Sequence, residues 1–259
     1  MVFKKRRIGV DDVVLEKGDF VRISYIGKIK DTGDVFDTTI EEVAKEAGIY
    51  SDKVTFRSES VIIGAGHVIK GLDEALIGLE VGEKEVIEVP PEKAYGVRDP
   101  SMVKTYRLKE FKKHGLKPHP GMTVDIEGKK GRVQNVSAGR VVVDFNSELA
   151  GRAVTYEINV EEKVNKLEEK IRLLMERYFS YINGNDSDIK CEGEKAVIFL
   201  PDAVRLHSDA FVAKQLLAND IFTHLELKEV EFREIFRKEE EEKEVKEEEE
   251  AEVKEEKED

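Results

Sequence analysis

Apolar and polar side chains alternate from Phe20 to Lys30 (FVRISYIGKIK), which predicts a half-buried strand. Val21, Ile23 and Tyr25 share one face, while Arg22 and Ser24 point the other way. Asp31-Thr32-Gly33-Asp34 supplies turn chemistry before Val35-Phe36-Asp37. Ile40 to Ala47 reads as a short helix stopped at Gly48. A second strand from Glu59 to Ile63 runs into Gly64-Ala65-Gly66. Ile69, Leu72, Leu76 and Leu79 then recur at helical spacing, which predicts a helix over 69–79. Glu85 to Val89 alternates again and is ended by Pro90-Pro91.

From Arg98 to about Ser147 the texture changes: Phe111 to Pro120 carries basic residues, two His and two Pro, followed by a hairpin from Thr123 and strands over 131–136 and 139–145. A small β-rich module fits. Arg152 to Val160 alternates and is placed to return to the first sheet. Val164, Leu167, Ile171, Leu174 and Tyr178 repeat in steps of three and four, which marks an amphipathic helix. Its narrow apolar seam suits either a coiled-coil dimer contact or packing within its own domain. A strand over 195–200, a helix over 208–222 with Ser208 as N-cap, and one or two strands over 225–236 complete an α+β unit. Residues 238–259 are almost entirely Glu and Lys, an acidic tail expected to be disordered.

Composition narrows the function. The 259 residues suit two or three compact units, and the net charge of −13 makes nucleic acid an unexpected partner despite the basic Met1 to Arg7. Cys191 stands alone, so no internal disulfide and no Cys-based zinc site can form. His114 and His119 lack further ligands, so no metal is expected. No apolar run spans a bilayer, no signal-peptide stretch follows the basic N-terminus, and the cytoplasm is the expected compartment. Gly64-Ala65-Gly66 lacks the third glycine of a dinucleotide fingerprint, and no cofactor is expected.

Four ordered blocks carry a resemblance. These are Val21-Arg22-Ile23-Ser24-Tyr25-Ile26-Gly27, Gly33-Asp34-Val35-Phe36-Asp37, Ile63 to Leu76 (IGAGHVIKGLDEAL) and Ala94-Tyr95-Gly96. In this order they resemble the FKBP-type peptidyl-prolyl isomerases. The module after Tyr95 is similar to the insert-in-flap domain of SlyD-like, long-type members, and the further C-terminal unit to an archaeal long-type member. The resemblance implies an α+β fold, with an antiparallel sheet wrapped on a short helix. It divides the chain into an isomerase domain over 1–97 and 147–163, an insert over 98–146, a C-terminal α+β domain over 164–237 and the tail over 238–259.

The implied activity is isomerisation of X-Pro bonds, with unfolded or partly folded proline-containing polypeptides as partners and the insert as their docking module. A holding chaperone with weak isomerase activity is the alternative, and a homodimer through the C-terminal unit is a further expectation. Rotation about the imide faces a barrier of about 20 kcal/mol. A dry apolar bowl that holds the twisted bond lowers it without nucleophile or metal. By resemblance the bowl is lined by Tyr25, Phe36, Val61, Val68, Ile69, Leu72, Tyr95 and Tyr156, with Leu72 as floor. Asp37 acts near the twisted imide, and the Ile69 N–H and Tyr95 hydroxyl bind substrate carbonyls. Leu72 stands where many members have Trp, and Val61 near where they have aromatic residues, so tight macrolide binding is not expected; Tyr156 stands where Phe is common, a milder change. The 40–56 segment is longer than in minimal members.

Overall fold

The structure is a computed structural model that describes residues 14–236. The basic N-terminus and the acidic tail lie outside the described residues. The chain separates into two units, with the division after Lys163.

In the first unit, β1 (Phe20–Ile29), β2 (Val35–Thr38), α1 (Glu41–Glu46), β3 (Glu59–Ile62), α2 (Lys70–Ala75) and β4 (Lys84–Val89) precede an insert. The insert comprises β5 (Val103–Arg107), α3 (Leu108–Lys113), β6 (Thr123–Ile126), β7 (Lys129–Ser137) and β8 (Arg140–Asp144). Strand β9 (Val154–Val164) then returns to the first sheet. That sheet has the order β2-β1-β9-β4, with β3 pairing a different stretch of β1. Val21, Ile23, Val61, Leu72, Leu76, Val89, Val154 and Ile158 are buried in one core, which α2 covers. The α+β architecture agrees with the sequence reading.

The insert is a separate four-stranded sheet, β5-β8-β7-β6, around its own core of Phe111, Val124, Val133, Val141 and Val143. Its ends are tied together. Asp99 N–H donates to Asn146 Oδ1 at 2.9 Å, Asn146 Nδ2 donates to the Asp99 carbonyl at 2.9 Å, and Gly151 N–H donates to the Gly96 carbonyl at 2.8 Å.

The second unit holds α4 (Leu167–Tyr178), β10 (Asp188–Glu192), β11 (Lys195–Phe199), α5 (Asp202–Arg205), α6 (Ala210–His224) and β12 (Glu229–Arg233). Strands β10 and β11 form an antiparallel hairpin, and β12 adds parallel to β11 after the helical crossover. α4 packs against α6 and β10.

Three expected boundaries are corrected. Val164 is the last residue of β9 rather than the start of a helix. α2 stops at Ala75 rather than Leu79, because the chain turns through Gly78, which has a φ of +92°. Ser208 does not cap the long helix: Asp209 holds that position, without a side-chain cap, and the Ser208 hydroxyl bonds Asp209 instead.

Candidate functional site

Strand pairing brings the expected aromatic residues together. Thr38 Oγ1 donates to the Tyr25 carbonyl at 2.9 Å, and Tyr25 N–H donates to Thr39 Oγ1 at 2.9 Å, which fixes β1 against the end of β2. Asp37 lies opposite Gly27, beside a bulge in β2 that leaves Phe36 out of the pairing. The Tyr25 hydroxyl donates to Asp37 Oδ2 at 2.9 Å. Tyr156 enters from β9, and its hydroxyl lies 3.0 Å from that of Tyr95. Phe36 meets Tyr95 and Tyr156 edge-on at centroid distances of 5.6 and 5.9 Å, and Tyr25 meets Tyr156 at 5.5 Å. Gly27 permits this packing: a Cβ there would stand 3.0 Å from Phe36 Cζ and 3.1 Å from Tyr156 Cε1.

The rings surround an open bowl of about 390 Å³ lined by Tyr25, Asp37, Glu59, His67, Val68, Ile69, Leu72, Tyr95 and Tyr156. Seven of these were expected from the sequence. Phe36 lies behind Tyr95 and Tyr156 rather than on the lining. Val61 is corrected from wall to core: it is fully buried on β3, opposite Val21. Glu59 and His67 line the bowl and were not anticipated. His67 is placed by Ile62 N–H, which donates to its Nδ1 at 3.2 Å. Asp73 was also missed. Its buried carboxylate accepts from Gly64 N–H at 2.7 Å and Gly66 N–H at 3.1 Å, holding the loop that leads into Val68 and Ile69. Both glycines have positive φ, +82° and +74°.

Burial raises the Tyr25 hydroxyl well above the usual phenol value, and the Asp37 carboxylate beside it adds to the effect. Burial likewise raises Tyr156 and Tyr95. All three hydroxyls are therefore neutral at pH 7 and able to donate. The Ile69 N–H, at the head of α2, meets no acceptor among the described residues. A partly apolar bowl with phenolic donors, the Asp37 and Glu59 carboxylates and an open backbone N–H suits the binding of a peptide segment with its carbonyls held at fixed points.

A second concavity of about 1020 Å³ runs between the insert and the sheet, bordered by Ile29, Phe36, Arg98, Arg132, Asp144 and Leu149. It is larger than the bowl, but four of its charged groups are paired, Arg98 with Asp144 and Arg132 with Glu148, and only Phe36 brings an aromatic ring to it. Among the described residues no helix is long and apolar enough to cross a membrane.

Comparison with known proteins agrees with this geometry. The profile for "FKBP-type peptidyl-prolyl cis-trans isomerase" matches residues 12–112, that for "FKBP26, IF domain" matches 107–149, and that for "FKBP26_C-terminal" matches 167–237. A short-type peptidyl-prolyl cis-trans isomerase of Methanocaldococcus jannaschii is 38% identical over 149 residues, which cover 58% of this chain and 94% of that protein. The FKBP-type 16 kDa peptidyl-prolyl cis-trans isomerase of Escherichia coli (strain K12) is 30% identical over 105 residues, 39% of this chain and 70% of that one. The SlyD isomerase of Helicobacter pylori is 28% identical over 143 residues, 53% of this chain and 69% of that one.

Proposed function

Since this chain belongs to the FKBP-type peptidyl-prolyl cis-trans isomerase family, we propose that the bowl between Tyr25, Leu72, Tyr95 and Tyr156 is where it twists the X-Pro bond, acting in the cytoplasm on unfolded or partly folded proline-containing chains. The observation that carries this assignment is the convergence of neutral phenols on a small open bowl that includes Asp37. The proline ring sits on Leu72. The Tyr95 hydroxyl and Ile69 N–H hold the flanking carbonyls, and Asp37, anchored by Tyr25, acts electrostatically beside the imide. Loss of amide resonance leaves the twisted bond less dependent on water, so a sheltered site stabilises it over both planar forms.

In the same reading the insert is the docking module for client chains. Tethered beside the bowl, it raises the local concentration of proline sites without taking part in the chemistry. The groove along Phe36 supports this, because it runs from the insert to the rings behind the bowl. We also infer that the C-terminal unit pairs with a second copy, through α6 rather than α4. The apolar residues Ile171, Leu173, Leu174 and Met175 of α4 are fully buried in their own unit, whereas α6 leaves Phe211, Val212, Leu216 and Phe222 exposed.

The test uses two assays. With a short proline peptide, Tyr95→Ala and Asp37→Ala are each expected to lower kcat/KM by roughly tenfold, the loss of one hydrogen-bonding group with its packing. Unchanged rates would move the catalytic centre elsewhere. With a client whose refolding is limited by proline isomerisation, replacing 98–146 by a short loop is expected to abolish most of the acceleration while short-peptide activity persists. Equal acceleration by both forms would remove the docking role from the insert.

A further inference from the structure

The insert carries a concavity of about 470 Å³ lined by Arg107, Leu108, Lys109, Lys112 and Gly139. Local structure gathers its cations. Arg107 ends β5 and lies directly opposite Arg140 on β8. Leu108 N–H donates to the Gly139 carbonyl at 2.8 Å, which draws the start of α3 onto the β7–β8 turn. Lys109 and Lys112 stand one turn apart on α3. All four basic side chains are exposed. The insert's ion pairs, Arg98–Asp144 and Arg132–Glu148, involve none of them.

Like charges directly opposite on neighbouring strands repel, so the Arg107–Arg140 pair costs stability. A charge on β5 helps an edge strand resist pairing with other chains, but that purpose does not call for a cluster of cations on α3 and β8 as well. The cluster also runs against the charge of the whole protein. Residues 98–149 hold eleven Lys and Arg against six Asp and Glu, in a chain of net charge −13. Nucleic acid suits the patch poorly, because a duplex presents a charge about every 1.7 Å along its axis and calls for an extended cationic track.

We propose that this patch is a docking subsite for acidic stretches of unfolded client polypeptide, which set carboxylates against Arg107, Lys109, Lys112 and Arg140 and aliphatic groups against Leu108. The proposal rests on the docking role given to the insert above. Its physical effect is to draw acidic segments toward a protein whose overall charge would repel them.

The test measures binding of the full chain to two labelled unfolded peptides of equal length, one Glu-rich and one with Gln at the same positions. The Glu-rich peptide is expected to bind on the order of tenfold more tightly at low salt, as several exposed charge pairs together allow. That advantage is expected to vanish at high salt and in the double variant Arg107→Glu, Lys112→Glu, with circular dichroism confirming that the variant is folded. A milder Arg107→Gln, Lys112→Gln variant, expected to lose most of the advantage, serves if charge reversal unfolds the insert. An advantage that survives in the variants overturns the proposal. Equal binding of both peptides to the unmodified chain overturns it while leaving the docking role intact, and no binding of either overturns both. If a short DNA duplex competes more strongly than the Glu-rich peptide, or if that peptide binds only after removal of 238–259, the patch belongs to another occupant and the proposal fails.

Discussion

At the scale of single residues, the Asp73 carboxylate shapes the bowl without lining it. Both oxygens accept N–H groups from the Gly64-Ala65-Gly66 turn, so Asp73→Ala leaves two partly buried donors unpaired, at about 1–3 kcal/mol each. That loss should appear as a lower denaturation midpoint together with a raised KM for a short proline peptide, since Val68 and Ile69 follow directly from the turn. Asp73→Asn keeps one acceptor and should recover part of both. A null effect of Asp73→Ala, or an Asn variant as impaired as Ala, would mean that the turn holds itself. Such polar positions are the part of the site that the sequence hides. Tyr25, Phe36, Asp37 and Tyr95 stand in ordered blocks whose spacing is diagnostic. Glu59, His67 and Asp73 reach their places only through the register of β3 on β1 and the fold of one glycine turn, which no local pattern encodes.

At the scale of elements, α4 and α6 divide the apolar surface of the second unit unequally. The spacing within α4 predicted a narrow seam, yet burial extends to Leu173 and Met175, because α6 and β10 pack on more than one side of the helix. α6 is the reverse case, with Ala213, Leu217 and Ile221 buried and Phe211, Val212, Leu216 and Phe222 exposed. A helix apolar on both faces is normally covered on both. Phe222→Glu should therefore shift sedimentation of the full chain from dimer to monomer at micromolar concentration, without loss of helicity. A monomeric unmodified chain, or a variant dimer of unchanged affinity, would exclude α6 as the contact. Several elements escaped the sequence reading for the same reason: β5, α3, β10 and α5 are four to six residues long and rich in charge, too short for a period to stand out. The long strands β1 and β9 were legible because many alternating positions agree.

At the scale of the whole molecule, buried phenols set an alkaline limit. Tyr25, Tyr95 and Tyr156 are raised above their ordinary value of 10.0, and Tyr178, half-buried beside Asp220, is raised to about 12. Above pH 10 the unfolded chain releases phenolic protons that the folded chain keeps, so stability is fully present below pH 10 and falls as pH rises beyond it. Denaturant unfolding measured at successive pH values should show that decline, and Tyr25→Phe should make it shallower. A flat profile would place these hydroxyls in water. The split body has a different consequence, for the order in which the protein is made. The Tyr156 wall lies on β9, which follows the insert in the chain, and the insert has its own core and ends joined through Gly96 and Gly151. Once folded, the insert shortens the effective loop between β4 and β9 and lowers the entropic cost of closing the sheet. During synthesis the insert therefore leaves the ribosome with its whole sheet and core before the strand that carries the Tyr156 wall is made, and the body that interrupts the bowl's sheet is ready to close before the bowl has all its rings.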